Sequence, residues 1–567
     1  MPDFSQKPTG EDIDWVFGHL SEVWADAHAR FRKVDEFYNQ TFRVWPAPLD
    51  ATRRSYRPGT AAAKIDNAAA TQLAFEPSVH RQPVGDAKGA QETSDRVEVG
   101  AGNVLNDASM RETSIPAYMT GRYLASLGYS VLEGPVLAPF KEWPEPAEEM
   151  DSDVGRDFQD REEIFKAEMR NWNPFRFRAP HPSTVLMDHM TKHPEVAIKL
   201  EKRFRGDLRD LTIRKKKIRR LATVDIFDDK GKSPYERMDV LQFWSRKWHA
   251  VRVRNGPVLY IEPNTWGIVP FRHAFSGLGQ PRTSGQINDG ENKLQGSDPR
   301  HLAVGIIEHI FDSLVVQAQS MSAKHQVLNR VAYGPLLVGD EDSSEVREAF
   351  ARDGIANVDP TQIGYVDPPR VGAWLNALDE NVDMDIDETT FIRALAGVRQ
   401  EGVTTVGQQA MLSKAAQRKF ANMAAQQEDM WTGAVADMLR MMDRLPELEN
   451  GVLGLHKRDI AHDYNIRITF ENIDPVLHLQ ERQTGLTEVG AGVKSAQTYR
   501  ERDLRVPNET EEQDRLAQER LENMPELQTV LDREMAERMG LADQFDQAIE
   551  LRSQAMQGGP NGSGQQI

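Results

Sequence analysis

The sequence contains no cysteine among its 567 residues. Disulfide bonds, cysteine-ligated zinc and thiol catalysis are therefore excluded, and the reducing interior of a cell, or a particle assembled there, is the expected setting. No run of about 18 apolar residues is present, so we expect no membrane-spanning helix. The first residues lack a basic region followed by an apolar stretch, so we also expect no secretory signal peptide.

Proline is absent from Arg370 to Leu445, a span of 76 residues. Because proline costs about 3 kcal/mol inside a helix, its absence permits unusually long helices. One short segment, residues 397–407, interrupts the span, and its three glycines and two threonines favour a flexible loop. The pattern predicts a helix, a loop and a longer helix.

Positive charge is scarce relative to negative charge. The formal net charge is -18. Residues 501–550 carry 15 Asp and Glu against 6 Lys and Arg, so their net charge of -9 (6 - 15) is half of the total. An acidic chain normally avoids nucleic acid, because affinity for DNA comes largely from Lys and Arg on phosphates. A protein past which DNA must slide without sticking is the exception, and composition does not separate that case from an ordinary acidic protein.

The first half of the chain reads as a mixture of helices and strands. Residues 11–40 have apolar side chains at helical spacing, which predicts an amphipathic helix. A second predicted helix, residues 117–127, stops at Gly128 and runs into a strand. Asn255-Gly256 lies between two alternating stretches and predicts a β-hairpin. Residues 143–183 are rich in Pro, Asp and Glu, so we expect an exposed insertion there.

The second half is predicted to be largely helical. Ser297-Asp298-Pro299 is a favourable helix start, and the apolar pattern after it predicts one continuous helix over 299–331. The elements predicted beyond it are, in order, a compact insert (332–369), a helix (382–396), the Gly/Thr-rich loop (397–407), a long helix (408–445), a strand (466–470), acidic helices (476–550) and a disordered tail (551–567).

No metal, cofactor or catalytic site is predicted. His189 and His193 would share one helical face as half of a zinc site, but Met190 stands where a metalloprotease has glutamate, so we interpret them as surface histidines. Asp383–Asp387 begins like a calcium loop, yet Glu388 occupies the position that needs glycine. We therefore expect a protein that is not an enzyme.

A basic run, Arg214–Arg220, carries six positive charges in seven residues. A solvated surface, a contact with an acidic partner and a contact with nucleic acid all remain open for it. No basic patch interleaved with aromatic residues is present to read a nucleic-acid sequence.

The order of elements in the second half resembles that of the portal proteins of tailed bacteriophages. In that family a stem helix, a clip, a second stem helix, a tunnel loop and a long wing helix precede a helical crown. Shorter stretches also resemble portal motifs, namely Arg30–Tyr38, Tyr123–Gly134, Gly267–Phe271, Gly492–Ser495 and Glu511–Arg515.

The resemblance implies an α+β, mainly helical portal fold with wing, stem, clip and crown, assembled as a ring, typically a dodecamer. The implied parts are the wing (1–297, with an insertion over 143–200), the first stem helix (298–331), the clip (332–369), the second stem helix (370–396), the tunnel loop (397–407), the long wing helix and strand (408–475), the crown (476–550) and a disordered tail (551–567).

The implied function is a ring channel at one capsid vertex, through which genomic DNA is packaged and ejected. The implied partners are other copies of the chain, double-stranded DNA without sequence preference, the terminase large subunit, a head-completion or adaptor protein and the major capsid protein. The protein would belong to the virion, assembled in the host cytoplasm, with no cofactor and no membrane. Two alternatives stay open: a helical head–tail adaptor or scaffold without a DNA channel, and a packaging-motor enzyme.

Three groups of residues are expected to carry this function. The tunnel loop would face DNA with Gly397, Val398, Arg399, Gln400, Glu401, Gly402, Val403, Thr404, Thr405, Val406 and Gly407. An acidic channel face that repels phosphate would comprise Asp379, Glu380, Asp383, Asp385 and Asp387. The clip would contact terminase or an adaptor with Asp340, Glu341, Asp342, Arg347 and Arg352.

Overall fold

A computed structural model describes a defined set of residues, and every structural statement below refers to them. They are Phe4 and residues 6–46, 55–70, 77–83, 88–138, 172–208, 233–279, 299–332, 336–337, 364–365, 373–390, 418, 420–448, 451–470 and 475–492. The chain divides into two compact units, Met1–Asn472 and Ile473–Ile567. The predicted mixture of helices and strands is confirmed.

Both units of the described chain contain helices. They are α1 (Gly10–Tyr38), α2 (Thr60–Ala68), α3 (Lys88–Met110), α4 (Pro116–Leu127), α5 (Pro299–Leu302), α6 (Phe311–Ala332), α7 (Ala373–Thr389), α8 (Ala421–Arg444), α9 (Lys457–Ile460) and, in the second unit, α10 (Pro475–Gly490). Short 3₁₀ turns lie at Pro182–Thr184, Glu308–Ile310 and Pro446–Leu448.

The strands form antiparallel sheets. They are β1 (Pro77–Arg81), β2 (Tyr129–Leu137), β3 (Phe175–Arg178), β4 (Val185–Met187), β5 (Val196–Phe204), β6 (Arg237–Ser245), β7 (Trp248–Val253), β8 (Val258–Pro263), β9 (Phe271–Phe275), β10 (Leu336–Leu337), β11 (Gly364–Tyr365) and β12 (Ile466–Phe470). The sheet orders are β4-β5-β6-β7-β8, β3-β2-β9, β1-β12 and β10-β11.

Helix α1 confirms the prediction made for residues 11–40. Its buried side chains recur every three or four residues, so one continuous stripe faces the core. Thr9 and Asp12 form a capping box that fixes the first turn. Trp24 lies on the stripe and donates from Nε1 to the carbonyl of Met187 at 3.0 Å, which ties α1 to the edge of the five-stranded sheet.

The predicted hairpin is confirmed as β7 and β8, with a longer turn than Asn255-Gly256 alone. Residues 254–257 connect the strands, and the amide of Val253 donates to the carbonyl of Pro257 at 3.2 Å. Asn255 has a φ of 57°, the left-handed conformation that asparagine tolerates in turns. A two-residue hairpin turn would need the left-handed conformation at two consecutive residues, whereas only Asn255 has it here.

The predicted stop at Gly128 is also confirmed. Gly128 ends α4 with a φ of 67°, and β2 begins at the next residue. Strands β3, β2 and β9 then form the three-stranded sheet, which packs against α8 through a second core containing Phe177, Trp431 and Val435.

The prediction of one helix over 299–331 is wrong. Residues 303–307 are not helical; the amide of Ile306 donates to the carbonyl of Ala125 at 2.8 Å, and Ser276 Oγ donates to the carbonyl of Val304 at 2.7 Å. The apolar residues of this stretch are buried because the chain passes through the core as an irregular connection, with a turn at residues 306–307. Tertiary hydrogen bonds therefore replace those of a helix, and the long helix starts only at Phe311.

Two further predictions need correction in the first half. Residues 172–183 are not part of an exposed insertion, since Phe175 and Phe177 on β3 are fully buried in the second core. The 143–200 insertion therefore cannot extend over β3, β4 and β5, which are integral to the sheets. His189 and His193 lie in an irregular connection between β4 and β5 and not on a helical face.

The helices of the second half agree with prediction in type but differ in their limits. Helix α7 starts at Ala373, nine residues before the predicted start, and the described part ends at residue 390. Helix α8 ends at Arg444, before Pro446 as predicted, and its described part begins at Ala421. The predicted start at residue 408 lies outside the described chain, which omits residues 391–417 and 419. Strand β12 is confirmed at its predicted bounds. In the second unit, α10 confirms a helix from about Val476.

Candidate functional site: an antiparallel helix pair with an acidic seam

Helices α6 and α7 pack side by side and run in opposite directions. Their shared core contains Leu314 and Ala318 from α6 and Ile386 from α7, all buried. Strands β10 and β11, which lie between the two helices in the sequence, pair with each other in the antiparallel sense. The chain therefore leaves α6, passes through a small β-ribbon and returns along α7.

Polar contacts join the two helices along the length of this pair. Gln317 Nε2 donates to Asp383 at 2.7 Å, and Ser313 Oγ donates to Asp385 at 2.5 Å. Asp379 accepts from Ser320 Oγ and forms an ion pair with Lys324. We call this row of contacts the acidic seam; it comprises Ser313, Gln317, Ser320 and Lys324 of α6 and Asp379, Asp383 and Asp385 of α7.

The sequence builds the α6 side of the seam from a helical repeat. The α6 residues 313, 317, 320 and 324 follow each other by four, three and four positions, so they share one face. The contacts join the end of one helix to the start of the other, as an antiparallel register requires. Each carboxylate that leaves water thereby gains a hydrogen bond, which offsets the cost of its partial burial.

The N-terminal helices anchor the same pair. Lys64 on α2 forms an ion pair with Asp387, and Thr60 Oγ1 donates to Gln317 Oε1 at 2.9 Å. Gln319 Nε2 donates to the carbonyl of Val44 at 2.8 Å. The helix pair therefore has a fixed orientation relative to the α1–α2 region.

Both helices of the pair also expose apolar side chains. On α7, Glu380 and Met384 share an exposed stripe, and 53% of Met384 is accessible. Leu328 on α6 is 64% exposed, and Leu378 on α7 is 37% exposed. Exposed large aliphatic residues on neighbouring helices are typical of a surface that contacts another chain.

The predicted acidic channel face therefore has a more specific arrangement than the sequence indicated. Asp379, Asp383, Asp385 and Asp387 each bond to a neighbouring side chain within the same chain. Glu380 lies on the exposed stripe. Four of the five carboxylates thus hold α7 to its neighbours, and their facing a channel stays a prediction.

The other two predicted groups lie outside the described residues. The tunnel loop, Gly397–Gly407, falls in the gap between residues 390 and 418. The clip residues Asp340, Glu341, Asp342, Arg347 and Arg352 fall between the two strands of the ribbon. The basic run Arg214–Arg220 lies in the gap between residues 208 and 233.

A second polar feature was not predicted from the sequence. Arg272 on β9 forms a buried ion pair with Asp437 on α8 and also donates to the ring of His193. Around them is a cleft of about 310 Å³ that Arg246 and Arg444 also line. The sequence feature that could have indicated it is the spacing of Asp437, Arg440 and Arg444 on one helical face. Such charge spacing is common on exposed helices, so by itself it does not indicate a binding site.

Two kinds of feature are absent from the described residues. None of the described helices is long and apolar enough to cross a membrane. No group of three or more His, Asp or Glu side chains in the described chain has the arrangement of a metal site.

Comparison of the sequence with protein-family models and with curated proteins finds no match.

Proposed function

We propose that this chain is the subunit of a ring-shaped portal of a tailed bacteriophage, through which double-stranded genomic DNA is packaged and ejected. The observation that carries the proposal is the helix pair α6–α7, which are antiparallel and joined through a small β-ribbon. A stem helix, a clip and a second stem helix have this order in the family that the sequence resembles.

The elements after the pair support the same proposal. Helix α8 and strand β12 follow α7, as a long wing helix and its strand would, and α10 then begins the second unit. Helix α8 packs against the three-stranded sheet of the first half through the second core. Residues from both halves of the sequence therefore build one wing-like α+β body around α8.

The exposed apolar residues of the helix pair are proposed to contact neighbouring copies of the chain. Leu328, Leu378 and Met384 would lose contact with water there, at a gain of roughly 25 cal/mol per Å² of apolar surface. A ring requires each subunit to present two different surfaces, one to each neighbour. The acidic seam keeps the two helices in register, so that this surface has a fixed shape.

The path of DNA is proposed from charge. The chain is strongly acidic, with a net charge of -18, so a channel built from it repels phosphate and does not retain DNA. Contacts of Gly397–Gly407 with passing DNA, and of the clip residues with terminase or an adaptor, belong to the same proposal. Four of the five carboxylates predicted to face the channel are paired within the chain, and the fifth, Glu380, is exposed and lies outside the seam.

Cross-linking from one engineered cysteine tests the subunit contact. Since the natural chain has no cysteine, Met384→Cys carries the only thiol, and a short maleimide–benzophenone linker attached there reacts with whatever lies beside it. We expect a ladder of bands at multiples of the 64.0-kDa chain after irradiation. Met110→Cys is the matched control, because Met110 is also exposed, at 78%, but lies at the end of α3.

The expected control result is a far weaker ladder than that of Met384→Cys. Equal cross-linking from both positions, or only monomer from Met384→Cys, would count against the proposed contact. A head–tail adaptor or scaffold without a DNA channel and a packaging-motor enzyme remain the competing functions. Particle size and shape separate the first of these from a portal, and measured ATP hydrolysis would favour the second.

A further inference from the structure

The cleft around Arg272 brings together residues from distant parts of the chain. Arg272 belongs to β9, His193 to the connection before β5, Arg246 to the turn between β6 and β7, and the remaining charged residues to α8. The six charged or titratable residues that line it are His193, Arg246, Arg272, Asp437, Arg440 and Arg444.

One face of helix α8 forms a wall of the cleft. Gly433, Asp437, Arg440 and Arg444 follow each other by four, three and four positions and so lie on one face. A side chain at position 433 would meet the guanidinium of Arg272, since an added Cβ would stand 3.1 Å from its Nη1. Glycine there leaves Arg272 room to reach Asp437.

Positive charge exceeds negative charge in the cleft. Four arginines face one carboxylate, Asp437, which is already bound by Arg272 and by Arg440 Nη1 at 2.7 Å. Arg246 and Arg444 form no ion pair with any carboxylate of the described residues, and both are exposed. The excess is notable because the whole chain has a net charge of -18.

The state of His193 agrees with this local charge. Burial and then the positive charge of Arg272 lower the pKa of His193, so the ring stays neutral and accepts the hydrogen bond from Arg272. Arg440 and Arg246 act in the same direction, while Asp437 opposes them. Four parts of the fold thus bring four arginines and one carboxylate together in a cleft that is partly shielded from water.

We propose that this cleft is an oxyanion site that binds a phosphate group. Arg246 and Arg444 donate to the phosphate oxygens, and Arg272 and Arg440 contribute charge from positions that Asp437 fixes. The planar fork of arginine matches phosphate geometry and binds it with two parallel hydrogen bonds. A cleft of about 310 Å³ holds a phosphate together with part of the molecule that carries it.

The phosphate has two possible sources, a free anion and the backbone of a nucleic acid, and the chemistry of recognition is the same for both. The proposal is independent of ring formation, because every residue of the cleft belongs to one chain. It also differs from the proposed channel, which repels phosphate.

The test measures binding of inorganic phosphate to the purified full-length protein by isothermal titration calorimetry, with sodium chloride at matched ionic strength as the reference. The double variant Arg246→Gln/Arg444→Gln leaves the buried Arg272–Asp437 pair intact, so the fold is retained. We expect it to bind phosphate about tenfold more weakly or worse, which corresponds to about 1.4 kcal/mol. Arg458→Gln is the control, because Arg458 is exposed on α9 and does not line the cleft.

A second readout reports on the cleft itself. Phosphate bound there adds negative charge beside His193, so saturating phosphate should raise the pKa of His193 in an NMR titration of the natural chain and should not do so in the double variant. Fluorescence anisotropy with a labelled DNA duplex identifies the source. Weaker duplex binding by the double variant assigns the site to a nucleic-acid backbone, and unchanged duplex binding with weaker phosphate binding assigns it to a free anion.

The proposal is overturned if the natural chain binds phosphate no better than chloride of equal ionic strength. It is equally overturned if the double variant and Arg458→Gln lose the same amount of phosphate binding, since the effect would then follow net charge alone.

Discussion

Two buried histidines link the stability of the first unit to pH. Burial lowers the pKa of His273 to about 3 and, assisted by His181 and Arg32, that of His28 to about 4, whereas an exposed histidine titrates near 6.5. His28 Nε2 is buried and has no hydrogen-bond partner among the described residues. The His28 ring is therefore held neutral by surroundings that offer its Nε2 no partner, and the His273 ring, whose Nδ1 lies 3.2 Å from the Met187 sulfur, is held neutral by its burial.

The sign of the pH effect follows from these depressed pKa values. Below about pH 6.5 the unfolded chain binds protons at these positions, and the folded chain does not do so until about pH 4. Stability is therefore complete above pH 6.5 and falls as the pH decreases toward 4. We expect the urea midpoint of unfolding to be lower at about pH 5 than at about pH 7.

Substitution His28→Gln tests the assignment to a residue. It removes one of the two groups, so the loss of stability between about pH 7 and about pH 5 should shrink by on the order of 1 kcal/mol. His80→Gln is the control, because His80 is exposed on β1. If both variants keep the full pH dependence of the natural chain, His28 does not contribute to it.

Gly128 is a second position where one residue decides local structure. It has a φ of 67°, and an added Cβ would overlap the backbone of Val304 in the non-helical connection. Gly128→Ala should therefore destabilise the chain by about 2–4 kcal/mol, through backbone strain and displacement of that connection. Gly102→Ala provides the contrast: Gly102 lies in α3 with open space around it, and alanine there should be neutral or stabilise by up to about 1 kcal/mol. Equal unfolding midpoints for the two variants would contradict the packing described.

At the scale of elements, the acidic seam determines how α7 lies on α6. The spacing of carboxylates on α7 was visible in the sequence, but their partners were not, because the register of two antiparallel helices depends on the insert that joins them. A row of aspartates was therefore predicted as an open face, and most of the row is instead bonded to α6 and α2. The sequence shows where the carboxylates lie along a helix, but it does not show which side chains pair with them.

A pair of neighbouring variants tests the structural role of the seam. Asp379→Ala removes the acceptor of Ser320 and the ion-pair partner of Lys324, so we expect a loss of about 1–2 kcal/mol of unfolding free energy. Glu380→Ala changes the next residue, which is exposed, and should change stability by less than about 0.5 kcal/mol. Urea unfolding of both variants makes the comparison, and an equal effect at the two positions would mean that the seam does not hold the helices together.

At the scale of the whole molecule, local patterns predicted elements and not their partners. Helix α1, the stop at Gly128, the β7–β8 hairpin and strand β12 follow from periodicity and turn chemistry, which act over a few residues. The pairing of β1 with β12 joins residues about 390 positions apart, and neither strand's sequence identifies the other as its partner. The break at 303–307 was missed for the same reason, since its backbone bonds to Ala125 of α4 and to Ser276, the residue after β9.

The same limit applies to the candidate sites. The presence of the two helices, but not their packing, was predictable, because regular apolar spacing in α6 and the absence of proline around α7 are local properties. The arginine cleft was not, because four elements meet there and its residues are separated by up to 251 positions, from His193 to Arg444. Sites built from convergent side chains become visible only in the folded chain.

Assembly is the central claim, and the size and shape of the purified particle test it most directly. Negative-stain imaging combined with light scattering of the full-length protein should show rings with a central hole and a mass near twelve copies of the 64.0-kDa chain, about 770 kDa. A monomer or dimer that persists as the protein concentration is raised, with no ring in the images, would contradict the account.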